Sequence, residues 1–280
     1  MKNGVAAAWR IVADTATYRV RKREGGNLAT SMTLAIALSL PGPDLGWRLA
    51  FGVVLNLFVY LLNDCLDVGL DLNAVGRDHA RTSFLAQHPK AGWAAVVVLG
   101  LGAATLGASH GAGLLVCFVA TTAVIAAYSL WLKKRPVLDL LSMGAWGITM
   151  AMVGFPVGSR SGWWLSGLLG LLCMVTEVVQ VIRDEASDRT AEIRTTAVAL
   201  GPAACAWIGR LLIVVAAAYS AAVLHRWFGL TLLLGVLVPL SAAHVSRSWD
   251  LLRIVFGLTW LAILFSFHRA GTLQGWLTVV

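Results

Sequence analysis

Residues 51–71 read FGVVLNLFVYLLNDCLDVGLD, an apolar run that passes without a turn signal into an acidic one. The chain around it is 58% hydrophobic and only 13% charged, with 28 glycines and 12 tryptophans in 280 residues. Such a composition belongs to an integral membrane protein. Ionisable groups within a bilayer are costly and mark function by default. Asp64, Asp67 and Asp71 are three of 14 acids in the chain, and lipid-facing packing gives no reason to gather them.

The spacing of these acids places them at i, i+3 and i+7, so on a helix their carboxylates form one column. Asn63 joins it, and Tyr60 and Asn56 carry the polar stripe deeper. Three like charges on one face repel unless a cation neutralises them. Magnesium suits this task, because it uses one or two carboxylates and fills its shell with water and phosphate oxygens. A solvated acidic helix end is the plainer alternative. It leaves Asn56 and Asn63 without a role where water is absent.

A second stripe ends another apolar run. Asp184 and Asp188 are four apart, with Gln180 and Glu177 on the same face further in. Glu177 is the deepest ionisable group of the set. It is either a base, a charge that stabilises a cation, or a neutral acid hydrogen-bonded to a neighbouring span.

Nine apolar runs are long enough to be spans of about 20 residues: roughly 28–44, 48–66, 91–109, 111–131, 137–157, 163–183, 203–223, 227–246 and 250–268. The expected fold is therefore all-α, a polytopic membrane protein with nine transmembrane helices around a central cavity. If the nine alternate, every Lys and Arg except Arg48, Arg160, Arg226 and Arg269 falls on one side. The positive-inside rule makes that side, with the N-terminus and both acidic motifs, cytoplasmic in a membrane of the bacterial cytoplasmic type. The net charge of +8 is thus topogenic, and no nucleic-acid partner is expected. Residues 1–27 form a basic arm, expected as a surface helix on anionic headgroups; 28–280 form one helical domain. Loops at about 72–90 and 185–202, each starting after an acidic motif, are expected to cap the cavity. The four cysteines lie apart in apolar surroundings and are expected to be reduced.

These residues resemble the UbiA-type intramembrane prenyltransferase superfamily, which includes terpene cyclases. Asn63-Asp64-x-x-Asp67-x-x-x-Asp71 matches that family's NDxxDxxxD, and Asp184-x-x-x-Asp188 its DxxxD. Arg194-Thr195-Thr196-Ala197-Val198-Ala199-Leu200-Gly201 is similar to the family's G-[IV]-R-T-L-A-V-x-L-G tail. Tyr128-Ser129-Leu130-x-x-Lys133-Lys134-Arg135 resembles its tyrosine-to-basic loop. The resemblance runs from about residue 28 to the end. It implies magnesium as cofactor, held by Asp64, Asp67, Asp184 and Asp188 with help from Asn63 and Asp71. It also implies that Lys133 or Lys134, with Arg77 or Arg81 and the Tyr128 loop, grips the diphosphate of an isoprenoid donor. Two departures stand out. Arg81-Thr82-Ser83-Phe84 replaces the family's R-P-[LI]-x-S-G, and Glu192-Ile193 stands where a glycine precedes the arginine of the second tail.

The function so implied is magnesium-dependent ionisation of a prenyl diphosphate, with transfer of the prenyl group to a small-molecule acceptor, aromatic by preference. The alternative is a cyclase, in which the ionised chain closes on itself. Tyr60, Tyr128, Trp131, Trp146 and Phe155 are candidate cavity walls, because aromatic faces favour cations. A transporter would place its charges near the bilayer midplane beside broken helices. A scaffold would leave both acidic columns unexplained.

Overall fold

The structure is a computed structural model that describes residues 2–22, 26–72 and 78–269. The expected phosphate ligand Arg77 lies outside the described residues. Among those residues every regular element is helical.

The basic arm folds as α1 (Lys2–Arg21). Ala7, Ile11 and Thr15 recur every four residues and are buried, so one face of α1 docks on α3, α4 and α5. Next come α2 (Gly26–Ala37) and α3 (Gly42–Asp71). Prolines at the start of α3 suit a helix N-terminus, where no N–H partner is needed. Phe51, Leu55, Phe58 and Leu62 form its buried stripe, and Asp64, Asp67 and Asp71 occupy its last turns. At 30 residues it is about 45 Å long, enough to bring the acids clear of a bilayer core. The short α4 (His79–Gln87) follows, capped by the Asp78 carboxylate, which accepts from the Arg81 N–H at 3.2 Å.

Helices α5 (Pro89–His110) and α6 (Ala112–Leu130) make a hairpin beside α3. A 3-10 turn at Leu132–Lys134 leads into α7 (Leu138–Ala151). The long α8 (Arg160–Thr190) packs closely on α7. A Cβ added at Gly170 would lie 2.8 Å from the Gly144 carbonyl oxygen, so glycine here lets two backbones approach as membrane helices often do. The chain finishes with α9 (Thr196–Leu200), α10 (Pro202–Val223), α11 (Arg226–Leu233) and α12 (Val245–Arg269).

Each expected span contains a helix, but only six of those helices, among the described residues, are long and apolar enough to cross a membrane. The first, fifth and eighth are shorter than expected, and a proline follows each one. Ser39 turns the chain with φ 55° before Pro41; Gly154 gives way to Phe155 and Pro156; Leu237 gives way to Pro239. Arg48, buried on α3, compensates for the early end of α7. It donates to the carbonyls of Val153 and Phe155 at 3.0 and 3.2 Å, while the Asp44 carboxylate holds its Nε at 3.0 Å.

The second expected loop is also corrected, because α8 continues through the whole acidic motif to Thr190. Its end is a Schellman turn: the N–H of Ile193 donates to the Asp188 carbonyl at 2.8 Å, and that of Glu192 to the Arg189 carbonyl at 3.2 Å. Glu192 takes φ 57° there, a left-handed position that glycine fills without strain. The family's glycine is thus absent from the place where its conformation is still used. Replacing Glu192 with Gly should stabilise the protein by about 1 kcal/mol, read as a higher midpoint of thermal unfolding in detergent. An unchanged or lower midpoint would show that the carboxylate contributes as much as the strain costs.

Candidate functional site

The acidic end of α3 is covered by cations from three other segments. Asp64 is 3% exposed. Its Oδ1 accepts from Arg19 of α1 at 2.8 Å, and its Oδ2 from Arg81 of α4 at 2.6 Å, with a second Arg81 contact to Oδ1 at 3.3 Å. The guanidiniums lie on aromatic faces, Arg19 at 4.1 Å from the Tyr60 ring centre and Arg81 at 4.4 Å from that of Tyr18. Asp67 is equally buried; its Oδ2 accepts from Lys133 at 2.9 Å and from Asn63 at 3.1 Å. Its Oδ1 is buried without a hydrogen-bond partner. Asp71 is also buried. A low-dielectric site tolerates such carboxylates only when they are paired, so the column and its cations form one unit.

The end of α6 ties this unit to α8. Asn63 donates to the Ser129 hydroxyl at 2.8 Å, while the adjacent Tyr128 hydroxyl donates to Glu177 Oε1 at 3.1 Å. Gln180 donates to Glu177 Oε2 at 3.1 Å. Both oxygens of Glu177 are therefore engaged. Deeper in, Tyr60 and Trp146 stack at a tilt with ring centres 6.4 Å apart. Asn56 Nδ2 is buried without a hydrogen-bond partner.

The second motif is more open than the first. Asp184 is held by its neighbour Arg183 through two contacts of 2.7 Å, with 37% of its side chain exposed. Asp188 is half-buried. Among the described residues no three Asp, Glu, His or Cys side chains converge as a ready metal cage, so the five expected metal ligands are not preassembled. That donor set still fits magnesium, which needs one or two carboxylates when phosphate supplies the other oxygens. The unsatisfied Asp67 Oδ1 is the atom best placed to serve. Lys134 is exposed, whereas Lys133 points into the site. Two expected wall residues are elsewhere. Trp131 is 60% exposed, and Phe155 is buried at the opposite end of the bundle, against Trp163.

Two groups in contact with the site or its supporting turn escaped the sequence reading. Arg19 counted there only as one of the basic-arm charges. Asp139 lay inside the fifth apolar run, where the general suspicion attached to intramembrane acids applies to it as well. Asp139 is fully buried and accepts from the Thr196 N–H at 2.6 Å, from the Thr196 hydroxyl, and from the Leu140 N–H at 2.9 Å. The Thr196 hydroxyl oxygen also accepts from the Val137 N–H at 2.7 Å. Val137 takes φ 70°, an outlier for a β-branched residue. This clasp joins the turn that carries Lys133 to the segment after the second acidic motif.

A model of the UbiA prenyltransferase family matches residues 27–270. The chain belongs to the UbiA prenyltransferase family. No curated protein matches the sequence. The fold agrees with that of a UbiA homologue from Archaeoglobus fulgidus solved with GPP and Mg2+, at a TM-score of 0.70 and 13% identity over 94% of this chain and 98% of that one. The same homologue bound to DMAPP and Mg2+ gives 0.68 at 13% identity over 92% and 98%. A structure described for digeranylgeranylglyceryl phosphate synthase gives 0.66 at 13% identity over 96% and 95%. At such identity the likeness concerns the fold of this UbiA chain.

The Asp139 clasp is open to a direct test. Asp139→Asn puts an amide among three donors, and Thr196→Val removes the shared hydroxyl. Each should cost about 1–3 kcal/mol and lower the thermal midpoint, whereas Thr196→Ser should stay near the parent. Equal loss in Thr196→Ser and Thr196→Val would assign the effect to packing of the methyl group.

Proposed function

We propose that this UbiA protein ionises an isoprenoid diphosphate with magnesium and passes the prenyl group to a small, electron-rich acceptor. Its site would open to the cytoplasm. One observation carries this reading: the buried column Asp64, Asp67, Asp71 is interleaved with Arg19, Arg81 and Lys133 at one end of an apolar bundle. Carboxylates alone would suit a cation, and cations alone an anion. Their interleaving suits a metal diphosphate, which carries both charges. The solved relatives with DMAPP or GPP and Mg2+ support the same ligand class.

Asp64, Asp67 and Asp71, with Asp184 and Asp188 across the site, would hold magnesium. When bound, the metal supplies Lewis-acid stabilisation of the leaving diphosphate. Lys133 and Arg81 add donors preorganised for phosphate oxygens, and Arg19 is placed to add another. The carbon–oxygen bond at C1 of the donor breaks, and its electron pair leaves with the diphosphate. Tyr60, Tyr128 and Trp146 present aromatic faces to the allylic cation, worth about 0.5–2 kcal/mol each when desolvated, and the apolar walls exclude water. Asn56, with its unsatisfied Nδ2–H, offers a donor to a polar acceptor. The acceptor's π electrons form the new carbon–carbon bond, and the proton it sheds would pass to Glu177, a buried carboxylate held in place by Tyr128 and Gln180.

Two measurements test this. Asp67→Ala and Asp184→Ala should each lower magnesium-dependent diphosphate release from a prenyl diphosphate by at least ~10²-fold, the scale of losing one preorganised electrostatic group. Near-parental turnover in either variant would sink the assignment. Incubation with prenyl diphosphates of graded length and no acceptor separates the two branches. An unreacted donor is expected for transfer, whereas a cyclic hydrocarbon or terpene alcohol would select cyclisation and overturn the acceptor step.

A further inference from the structure

Asp64 differs from Asp67 in that both of its oxygens already accept from a guanidinium, whereas Asp67 Oδ1 has no hydrogen-bond partner. Oδ1 is taken by Arg19 and Arg81, and Oδ2 by Arg81 at 2.6 Å. The carboxylate is 3% exposed, so water does not substitute for these partners. Arginine is suited to this place in a specific way, because its planar fork matches phosphate oxygens as well as it matches a carboxylate. Arg81 keeps a buried Nε without a hydrogen-bond partner, so its guanidinium has capacity beyond Asp64. The two arginines reside on α1 and α4, which touch each other through Arg10 over the Phe84 ring at 3.9 Å and Arg81 over Tyr18. A change of partner therefore needs side-chain movement beside the bundle and no rearrangement of the long helices.

We infer that Arg19 and Arg81 are resident counter-ions of Asp64, and that a diphosphate must draw them away before this carboxylate can ligate a metal. Metal and diphosphate then load the site together, each raising the affinity of the other by the same factor. A metal arriving alone meets a carboxylate already neutralised. A diphosphate arriving alone meets arginines already engaged. The inference rests on the proposed diphosphate chemistry and adds an order to its assembly. It also assigns a role to α1, which lies before the residues matched by the family.

The test uses the whole protein in detergent, with Mn2+ as the metal probe followed by its paramagnetic resonance and inorganic pyrophosphate as the anion, so that nothing turns over. In the parent, protein-bound Mn2+ should tighten by at least ~10-fold when pyrophosphate is present, within the usual range of coupling between sites. Arg19→Gln with Arg81→Gln should bind Mn2+ without pyrophosphate at least ~10-fold more tightly than the parent, with the coupling abolished. Should that variant fail to fold, Asp64→Asn reads the same exchange from the other side. By releasing both arginines it should bind pyrophosphate without metal several-fold more tightly than the parent, roughly the lower end of such couplings. Asp184→Asn, which removes a charge from the other motif, should not. Equal gains in Asp64→Asn and Asp184→Asn would reduce the effect to bulk charge and overturn the inference. Parental Mn2+ affinity that is indifferent to pyrophosphate would overturn it too, yet leave the proposed reaction standing. A parent protein that binds neither probe would remove the proposed reaction itself.

Discussion

A carboxylate withdrawn from water must be paired, and the end of α3 withdraws three of them within eight residues. No single neighbouring element supplies the cations. Arg19 comes from the arm before the bundle, Arg81 from the short α4, and Lys133 from the turn after α6. Removing one partner from a buried pair costs about 3–5 kcal/mol, so these contacts fix where α1, α4 and the α6–α7 turn can lie. Apolar packing in lipid gives helices little preference for one neighbour over another. Charge compensation gives this end of the bundle its definite arrangement.

The two acidic motifs share residue type and a one-face arrangement but differ in state. Asp64 and Asp67 are enclosed, whereas Asp184 stands at the rim beside Arg183. Two adjacent residues of α6 connect the stripes that carry them: Ser129 accepts from Asn63 on α3, and Tyr128 donates to Glu177 on α8. The Asp139–Thr196–Val137 clasp forms a second connection, between backbone segments. Its strained Val137 resembles other sites where an unfavourable backbone geometry is retained beside a functional group.

Much of this was legible in the chain, because helical periodicity assigns a face to every third or fourth residue. The columns Asp64–Asp67–Asp71 and Glu177–Gln180–Asp184–Asp188 follow from spacing alone, as do the helices that carry them. Apolar length overstates the helices of the first, fifth and eighth runs, since it does not register the prolines at 41, 156 and 239 that the helices do not reach. The pairing of cations was hidden for a different reason. Arg19 and Asp64 are 45 residues apart, and no local pattern in either segment names the other. Arg19 carried one sequence meaning, as a topogenic charge, and acquired another only when α1 docked on α3. Asp139 was concealed by its own helix, whose apolar neighbours on both sides made it read as part of a span.

Helix α7 with its 3-10 extension, 14 and 3 residues, is about 27 Å long, a little less than a hydrocarbon core of about 30 Å. A segment that stops short ordinarily makes the surrounding lipid thin or tilts its neighbours. Here Arg48 reaches from α3 to the carbonyls that the short helix leaves behind, so the deficit is absorbed inside the protein. The end of the short α11 and its 3-10 extension is answered in the same way from α12, where the Ser248 hydroxyl donates to the Pro239 carbonyl, so two of the three short segments have the carbonyls beyond their ends held by a side chain from a long neighbouring helix.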